Sequence, residues 1–489
     1  MRVMFAYPSF SNMKGIPQWG QNRQFQYFSK PTFIYPMVPA SAATILNDND
    51  FSVDWYDGVA QRESYGAFMN HFNKTHPDLL ILETKTPIIN RIHKFVKEIK
   101  NDNPEVKIAL VGDHVTALPH MSIHAKGVDY VIPGGNWDYP LLQLSKHIRD
   151  GLAVPEGILF KNGSTVGSTG EVQYDVDLNE IPHINRDLTK WFLYYENWRK
   201  RKPFTYVMAG RDCWWRKDGG CTFCSWTNLY PHFNVKTPER HLDEISILRE
   251  KYNIREIFDD TGTFPTGKWI EKFCKGMIDR GLNEDVLFSC NFRYDQLNEK
   301  RCKLMKKAGF RLVKMGLESG NQETLDRLNK GTTIQQIIDG SKTAKKAGLE
   351  IHLTIMVGFP WESKEDALRT LNLAKRLMEN GWADVLQCTI ITPYPGTRLH
   401  EQALTFNWFR IDPQDYDRYD MTEPVLHTVD MSPKEVLKIC DDIYKIYLSP
   451  KYIFRRFIRS LTSKDDLMLN INGLRVVLGH IKDFASHEK

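Results

Sequence analysis

Short apolar runs alternate with helix-length amphipathic stretches over the first 150 residues of the chain. Apolar runs of about five residues between turn residues predict buried strands, and apolar residues at three- and four-residue spacing predict helices. Five such repeats predict a doubly wound, Rossmann-like parallel sheet. The predicted strands are Arg2–Tyr7, Phe51–Tyr56, Asp78–Leu82, Val106–Val111 and Val128–Ile132, and the predicted helices are Ala40–Leu46, Glu63–Asn73, Ile88–Ile99, Pro119–His124 and Tyr139–Arg149.

The residues that follow these strands are candidates for ligand binding. A sheet of this kind binds ligands at the carboxyl ends of its strands. Here those ends carry glycines and small polar residues, and glycine permits close backbone approach to a bulky ligand. The candidate binding residues at this edge are Pro8, Asp57, Thr84, Gly112, His114 and Gly134.

Residues 151–200 interrupt the alternation and are interpreted as a linker. Two extended segments, Gly157–Phe160 and Glu171–Tyr174, flank a loop that contains an Asn-Gly turn signal. This pattern predicts a β-hairpin within the linker.

The alternation resumes with a longer period over residues 201–404. Six further β-α repeats are too few for a closed eight-fold barrel and predict a partial (β/α)6 barrel of the TIM type. Residues 405–489 are aromatic-rich and predict a helical region, with helices at Pro433–Tyr447, Pro450–Leu461 and Leu467–Phe484. The predicted barrel strands are Phe204–Ala209, Glu256–Asp259, Val286–Asn291, Arg311–Met315, Ile351–Val357 and Val385–Ile391.

Composition bounds the partners and the compartment. A chain of 489 residues is expected to form two or three domains. The net charge of +5 and the lack of a nucleic-acid motif or long basic run give no reason to expect nucleic acid. The N-terminal sequence has no secretory signal and no apolar run is long enough to span a membrane, so we expect the reducing cytoplasm.

Three of the eight cysteines form a cluster with C-x7-C-x2-C spacing, at Cys213, Cys221 and Cys224. The cluster follows the first predicted barrel strand. Three thiolates on one loop are able to ligate three irons of a [4Fe-4S] cluster and leave the fourth iron open. The alternative is structural zinc, which needs four protein ligands, and the nearest fourth candidate is His232.

This cysteine loop resembles that of radical S-adenosylmethionine enzymes with an N-terminal cobalamin-binding domain. Their usual motif is C-x3-C-x2-C, and Cys221-Thr-Phe-Cys224 is similar to its second half, whereas the first spacing is four residues longer here. The resemblance implies that Phe223 lies beside the adenine of S-adenosylmethionine. Trp226, also near the cluster, is a further candidate for the wall of the cofactor cavity.

Later segments resemble the same family in order and spacing. Asp260 corresponds to a residue near the methionine amino group, and Arg293 corresponds to a polar patch after the third strand. Glu318, in Met-Gly-Leu-Glu-Ser-Gly, resembles the carboxylate that binds the ribose hydroxyls. Gly358 lies in a segment similar to the family's fifth-strand glycine motif. The turn Thr392–Thr397 is similar to the proline-rich turn that closes the sixth strand.

The first domain also resembles the cobalamin-binding domain of this family, in segments around Tyr35–Pro39 and Val111–Thr116. The chain has no Asp-x-His-x-x-Gly motif, so bound cobalamin is expected to lack a histidine ligand from that motif. His114 is expected to touch the nucleotide tail or to be structural. The alternative is a domain that no longer binds cobalamin.

The resemblance implies an enzyme that cleaves S-adenosylmethionine reductively, removes a hydrogen from an unactivated carbon and methylates that carbon from cobalamin. It also implies a one-electron reductant of the flavodoxin or ferredoxin type and a small-molecule, lipid or peptide substrate. The alternatives are a cyclase or rearrangement enzyme acting on tetrapyrroles or hopanoid lipids, and a non-catalytic cobalamin-binding protein. The basic, amphipathic segment 451–459 is compatible with weak contact to a membrane surface or with a helix packed on the barrel.

Overall fold

The computed structural model describes residues 1–12, 14–20, 31–163, 165–170, 175–462, 465–470 and 473. Its first sheet has the strands β1 (Arg2–Tyr7), β2 (Ser52–Asp57), β3 (Leu79–Thr84), β4 (Lys107–Gly112), β5 (Tyr130–Val131), β6 (Leu159–Asn162) and β7 (Thr165–Ser168). The accompanying helices are α1 (Met37–Asn47), α2 (Gly58–Gln61), α3 (Tyr65–Thr75), α4 (Ile89–Asp102), α5 (Asp113–Ala117), α6 (Pro119–His124) and α7 (Asp138–Asp150).

The first sheet has the order β2-β1-β3-β4-β5-β6-β7. Strands β1 to β5 are parallel, which confirms the predicted doubly wound sheet. The hairpin of β6 and β7 extends this sheet with antiparallel strands. Its turn follows Asn162, so its second strand begins earlier in the sequence than predicted. The predicted second hairpin segment, Glu171–Tyr174, lies outside the described residues.

The second sheet is a half-barrel of six parallel strands in the order β15-β14-β13-β12-β11-β8, as predicted. Its strands are β8 (Phe204–Val207), β11 (Glu256–Asp259), β12 (Leu287–Phe292), β13 (Phe310–Glu318), β14 (Glu350–Val357) and β15 (Val385–Ile390). Between β8 and β11, the short strands β9 (Gly210–Arg211) and β10 (Asn234–Val235) pair antiparallel.

Helices fill the connections of the half-barrel. They are α8 (Trp226–Leu229), α9 (Pro238–Tyr252), α10 (Lys268–Asp279), α11 (Leu282–Asp285), α12 (Glu299–Lys307), α13 (Gln322–Arg327), α14 (Ile334–Lys346), α15 (Lys364–Glu379) and α16 (Arg398–Thr405). Capping fixes several starts: Thr333 forms a capping box with Gln336, and Ser363 forms one with Asp366. These local signals set the first residues of α14 and α15.

The last part of the chain contains α17 (Pro433–Lys445) and α18 (Pro450–Thr462). Helix α17 covers the open edge of the half-barrel, where the Tyr444 hydroxyl donates to the Cys388 carbonyl of β15 at 2.9 Å. Residues 406–432 are irregular apart from one 3-10 turn at Tyr416–Arg418, and both described helices of this region begin at the predicted residues, Pro433 and Pro450. Most of the predicted helix Leu467–Phe484 lies outside the described residues.

An apolar cluster joins the two sheets, although most of the half-barrel has an apolar core of its own. Phe204, Tyr206 and Phe258 of the half-barrel pack in the same buried cluster as the strands of the first sheet. A buried ion pair also joins them, since Arg211 of β9 donates to Asp138 of α7 at 2.6 Å. This packing holds the carboxyl ends of both sheets against a common space.

Candidate active site

The cysteine loop leaves β9 and returns into α8. Cys213 is followed by a 3-10 turn, Trp214–Asp218, after which Gly219 and Gly220 adopt φ values of 86° and 66°. Those left-handed conformations favour glycine, and a Cβ on Gly220 would also lie 2.6 Å from the Thr227 methyl carbon. The two glycines turn the chain so that Cys221 and Cys224 face the same way as Cys213.

Side chains from distant elements hold this loop in place. The Asn329 amide donates to the carbonyls of Asp218 and Gly220, each at 2.8 Å, and the Trp215 indole donates to the Asn329 carbonyl at 2.7 Å. The Arg398 guanidinium donates to the Gly219 carbonyl at 2.6 Å. Because the loop carbonyls are bonded from two sides, the positions of the three sulfurs are set by the barrel as a whole.

The three thiols line a single cavity of about 890 Å³ inside the half-barrel. Cys213 donates to the Thr263 hydroxyl at 3.0 Å. Burial raises the pKa of Cys224 to about 12, and the neighbouring Cys221 adds to this shift. Burial also raises the pKa of Cys221, and Cys213 adds to this shift.

The sulfur arrangement bears on the zinc alternative. Within the described ranges, no group of three or more His, Cys, Asp or Glu side chains is placed to hold a metal ion. His232, the candidate fourth zinc ligand, pairs with Asp175 at 3.0 Å and is absent from the cavity lining. His232 therefore does not supply the fourth ligand that structural zinc requires, whereas three thiolates suffice for a [4Fe-4S] cluster.

A carboxylate and an ammonium group lie beside the thiols. Lys330 donates to Glu318 at 2.7 Å, and both line the cavity. Burial lowers the pKa of Lys330, but Glu318 and Cys221 outweigh it, so the net pKa is raised and the ammonium stays charged. Glu318 adopts a left-handed backbone with φ of 57°, an uncommon conformation that is concentrated at functional sites.

Arg293 completes this charged group. Its guanidinium donates to the Lys330 carbonyl at 2.7 Å and to Asp295 at 2.9 Å. It also lies over the Trp215 ring, with the guanidinium carbon 4.1 Å from the ring centroid. Lys330 is not among the candidates from the sequence, because a lysine in an Asn-Lys-Gly turn carries no signal of a buried site.

The two neighbouring aspartates after β11 have different environments. Asp259 accepts from the backbone amides of Ala209 and Thr261 at 2.9 and 3.0 Å, and lies 3.0 Å from His241, so it supports the backbone. Asp260 instead lines the cavity. Phe223 and Trp226, two candidates from the sequence, line it as well.

Gly358 does not line the cavity among the described residues. Its amide donates to the buried carboxyl of Glu362 at 2.8 Å, and a Cβ at this position would lie 2.9 Å from a methyl carbon of Val436 in α17. Burial raises the pKa of Glu362 to about 8. The glycine is therefore required by helix packing in this structure.

Gly112 and Gly134 line a second, small cavity of about 30 Å³ at the carboxyl edge of the first sheet. Lys85 lies in its wall and pairs with Asp113 at 2.9 Å and Glu83 at 3.4 Å. This buried ion group was not selected as a site from the sequence, although a Glu-Thr-Lys run directly after an apolar strand was its visible signal. Trp226 and Asp260 line both cavities, so the two cavities meet there.

Four other residues selected at this edge line neither cavity among the described residues. The Pro8 carbonyl accepts from the Trp19 indole at 3.3 Å, and Asp57 caps α2 and accepts from the Tyr194 hydroxyl at 2.8 Å. The Thr84 hydroxyl donates to the Val111 carbonyl at 2.8 Å. His114 packs against Tyr416, and burial lowers its pKa to about 3, so it is neutral.

The space above the sheet edge is filled by the segment that follows α8. The amide of Gly135 donates to the Leu229 carbonyl at 2.6 Å, and a Cβ on Gly135 would overlap the Tyr230 ring. The remaining 30 Å³ accommodates about one water molecule. A large cofactor at this edge therefore requires Leu229 and Tyr230 to move away from Gly135.

Most of the half-barrel matches a known protein family. Residues 209–374 match the family model of the radical SAM superfamily, so the chain carries a radical SAM domain and is a radical SAM enzyme. More particularly, the whole chain is similar in fold to a cobalamin-dependent methyltransferase of that class. The structure of the radical S-adenosylmethionine methyltransferase TsrM from Kitasatospora setae, with cobalamin and a [4Fe-4S] cluster bound, superposes with a TM-score of 0.66. The superposition covers 92% of this chain and 89% of TsrM at 13% identity, which shows the fold.

Two sequence relatives cover most of the chain. An uncharacterised methyltransferase of Pyrococcus horikoshii is 29% identical over 85% of this chain and 88% of its own length. The anaerobic magnesium-protoporphyrin IX monomethyl ester cyclase of Rubrivivax gelatinosus is 23% identical over 80% of this chain and 70% of its own length. Among the described residues, no helix is both long enough and apolar enough to cross a membrane.

Proposed function

We propose that this protein is a cobalamin-dependent radical SAM enzyme that methylates an unactivated carbon of a small-molecule substrate. One observation carries the proposal. Three cysteines and a buried carboxylate–ammonium pair line one cavity, and that cavity meets the glycine-rich edge of a doubly wound sheet at Trp226 and Asp260. The proposal divides the chain into a cobalamin-binding domain (1–150), a linker (151–200), a radical SAM half-barrel (201–404) and a C-terminal region (405–489).

In this proposal Cys213, Cys221 and Cys224 hold the cluster. Their shared cavity and the two glycines of the loop support this role. The thiols must lose their protons to bind iron, and the neighbouring Lys330 ammonium favours the thiolate of Cys221. An environment that keeps these thiols reduced, such as the cytoplasm, is part of the proposal.

The charged group beside the thiols would bind S-adenosylmethionine. Glu318 presents its carboxylate to the cavity, where it would accept from the ribose hydroxyls. Lys330 and Arg293 supply positive charge and would attract the carboxylate of the methionine part. Asp260 would face the amino group, and Phe223 offers a ring for the adenine.

When bound, the cluster supplies the electron that cleaves S-adenosylmethionine, and cobalamin supplies the methyl group. The chain positions the reactants and excludes water. Phe258, Ile355 and Leu386 give the cavity apolar walls, which limit side reactions and hold the reacting carbon near the cysteine loop. A one-electron reductant is required, and a flavodoxin or ferredoxin is the proposed type.

Cobalamin would lie where the two cavities meet. Gly112 and Gly134 allow close backbone approach there, and Trp226 and Asp260 face both spaces. The corrin would replace the Leu229–Tyr230 segment above Gly135. His114 is buried against Tyr416 and is proposed to be structural rather than a ligand of cobalt.

Oxygen-free reconstitution tests the proposal. The wild-type protein is expected to hold about four irons, to bind cobalamin and to release 5′-deoxyadenosine from S-adenosylmethionine with a reductant. Cys213→Ala is expected to abolish that release. Cys302→Ala is the matched control, because this buried cysteine lies in α12 and does not line the cavity. Full activity of Cys213→Ala would contradict the ligand assignment.

The same assay separates the other functions. Release of 5′-deoxyadenosine without methyl transfer, in protein loaded with cobalamin, would indicate a cyclase or rearrangement enzyme. No release from a fully loaded cluster would indicate a non-catalytic cobalamin-binding protein.

A further inference from the structure

Helix α18 packs on the half-barrel with its polar face. The Tyr452 hydroxyl donates to the Asp384 carbonyl at 2.9 Å, and Arg459 pairs with Asp384 and Glu350, each at 2.6 Å. Arg455 donates to the Ala383 carbonyl at 3.2 Å. The side of the helix that touches the protein is therefore its hydrogen-bonding side.

The opposite side of α18 is an apolar stripe that faces outward. Phe454 is 67% exposed and Leu461 is 68% exposed. The other three side chains of the stripe are about half exposed. A helix that packs on a globular protein normally buries such a stripe. The stripe consists of Ile453, Phe454, Phe457, Ile458 and Leu461.

Helix α18 carries four basic residues and no acidic one, and of these Arg459 is paired with Asp384 and Glu350. The sequence has no acidic residue between Asp442 and Asp465, and it has six basic residues there. Arg455 and Arg456 donate to backbone carbonyls and to the Asn470 amide oxygen, which are neutral, so these pairings do not cancel their charges. An apolar stripe flanked by cations is the pattern of helices that lie in the interface of an anionic lipid bilayer.

The stripe is continuous with the active-site cavity. Ile453 and Phe457 belong to the stripe and also line the cavity that contains the three cysteines. Arg456 lines the same cavity and is only 8% exposed, and its Nη1 atom has no hydrogen-bond partner in the described part of the chain. A buried guanidinium with an unused donor at the end of an apolar cavity suits an anionic group on a bound molecule.

We propose that α18 lies on an anionic lipid surface, and that the substrate is an anionic amphiphile that enters the cavity from that surface past Arg456. The apolar stripe enters the acyl-chain boundary while Arg455 and Arg459 hold the helix on the barrel. The amphiphile places its acidic group at Arg456 and its chain along the apolar wall toward the cysteine loop. The substrate part rests on the proposed function, whereas the surface contact does not.

Vesicle sedimentation tests the surface contact. The reconstituted full chain is mixed with vesicles of phosphatidylcholine alone or of phosphatidylcholine with phosphatidylglycerol. We expect it to sediment with the anionic vesicles, and we expect Phe454→Ser with Ile458→Ser to lower the bound fraction at least about tenfold. Leu404→Ser with Phe406→Ser is the matched control, because both residues are exposed near the end of α16, and it should sediment like the wild type.

Three results would overturn the surface contact. The first is a wild type that stays in solution with every vesicle. The second is a stripe variant that sediments like the wild type. The third is a wild-type dimer, seen by light scattering, that the stripe variant converts to a monomer, because the stripe would then bind a second copy of the chain.

Binding of soluble amphiphiles tests the role of Arg456. We expect the reconstituted protein to bind monomeric dodecyl phosphate more tightly than dodecanol in calorimetric titrations. Arg456→Gln should weaken dodecyl phosphate binding about tenfold or more and leave dodecanol binding unchanged, and Arg456→Lys should restore part of the loss. Equal binding of the two amphiphiles, or an unaffected Arg456→Gln, would overturn this part. Because the assay needs no turnover, its failure is distinct from a failure to release 5′-deoxyadenosine.

Discussion

Gly316 lies under the carboxylate–ammonium pair of the active site. A Cβ at this position would overlap both the Glu318 carboxylate and the Lys330 ammonium. Both side chains line the large cavity, so a Cβ on Gly316 would push their charged ends into the space proposed for S-adenosylmethionine. The absence of one side chain thus permits the charged group to form beside the cysteines.

The first prediction concerns this glycine. Gly316→Ala should displace the Glu318–Lys330 pair and weaken S-adenosylmethionine binding about tenfold, since overpacking forces neighbouring side chains to shift. Equilibrium dialysis with the reconstituted protein measures this affinity. Gly66→Ala, in α3 with open space around it, is the control and should bind normally. Unchanged binding by Gly316→Ala would show that the pair does not contact S-adenosylmethionine.

The second prediction concerns Glu362, whose carboxyl is fully buried. Its pKa is about 8 in the folded protein against 4.5 for an ordinary glutamate, because burial disfavours the charged form. At pH values between 4.5 and about 8, the Glu362 carboxyl loses its proton in the unfolded chain and keeps it in the folded protein. The stabilising effect of this group is therefore complete below about pH 4.5 and is lost as the pH rises toward 8.

Glu362→Gln should remove this dependence while keeping an acceptor for the Gly358 amide. The variant's free energy of unfolding should exceed that of the wild type by an amount that grows between pH 5 and 8, reaching up to roughly 4 kcal/mol. Denaturant titrations at several pH values measure the difference. Glu365→Gln, on the exposed start of α15, is the control. A difference that stays constant with pH would refute the assignment.

At the scale of elements, α8 and the residues that follow it connect the two functional regions. The helix begins two residues after Cys224 and presents Trp226 to both cavities. Its continuation places the Tyr230 ring against Gly135 at the edge of the first sheet. A movement of this one segment would open the sheet edge toward the cysteine loop.

The third prediction follows from this segment. Tyr230→Ala should raise the affinity for cobalamin, because the ring no longer has to be displaced from the sheet edge. Spectroscopic titration with hydroxocobalamin measures the affinity. Tyr294→Ala provides a comparison, since this buried tyrosine lines neither cavity. A loss of affinity in Tyr230→Ala would show instead that the ring contacts the cofactor.

At the scale of the whole molecule, the two sheets bring the carboxyl ends of their strands together. The Arg211–Asp138 ion pair contributes to this arrangement, because Arg211 lies two residues before Cys213 and Asp138 is the first residue of α7. Asp138 also accepts from the Ser41 hydroxyl at 3.0 Å. The pair fixes the loop relative to the sheet edge.

The fourth prediction is that Asp138→Ala destabilises the protein by about 3 kcal/mol, since it leaves the buried Arg211 without its charge partner. It should also reduce iron loading of the cysteine loop. The midpoint of denaturant-induced unfolding and the iron content measure the two effects. Glu323→Ala removes an exposed ion pair with Arg327 and should cost under about 0.5 kcal/mol. A similarly small effect of Asp138→Ala would contradict the structural role.

The sequence by itself determined the order of the elements and most strand bounds to within two or three residues. It also identified three clustered cysteines as candidate metal ligands. Strand periodicity, capping residues and cysteine spacing are local signals, and they act over a few residues. Only the tertiary structure decided that Lys330 lies beside Glu318, that Gly358 packs on Val436, and that α18 turns its apolar side outward. These features depend on which distant surfaces meet. The sequence pattern of a helix shows that it has a polar face and an apolar face, but it does not show which face packs against the rest of the protein.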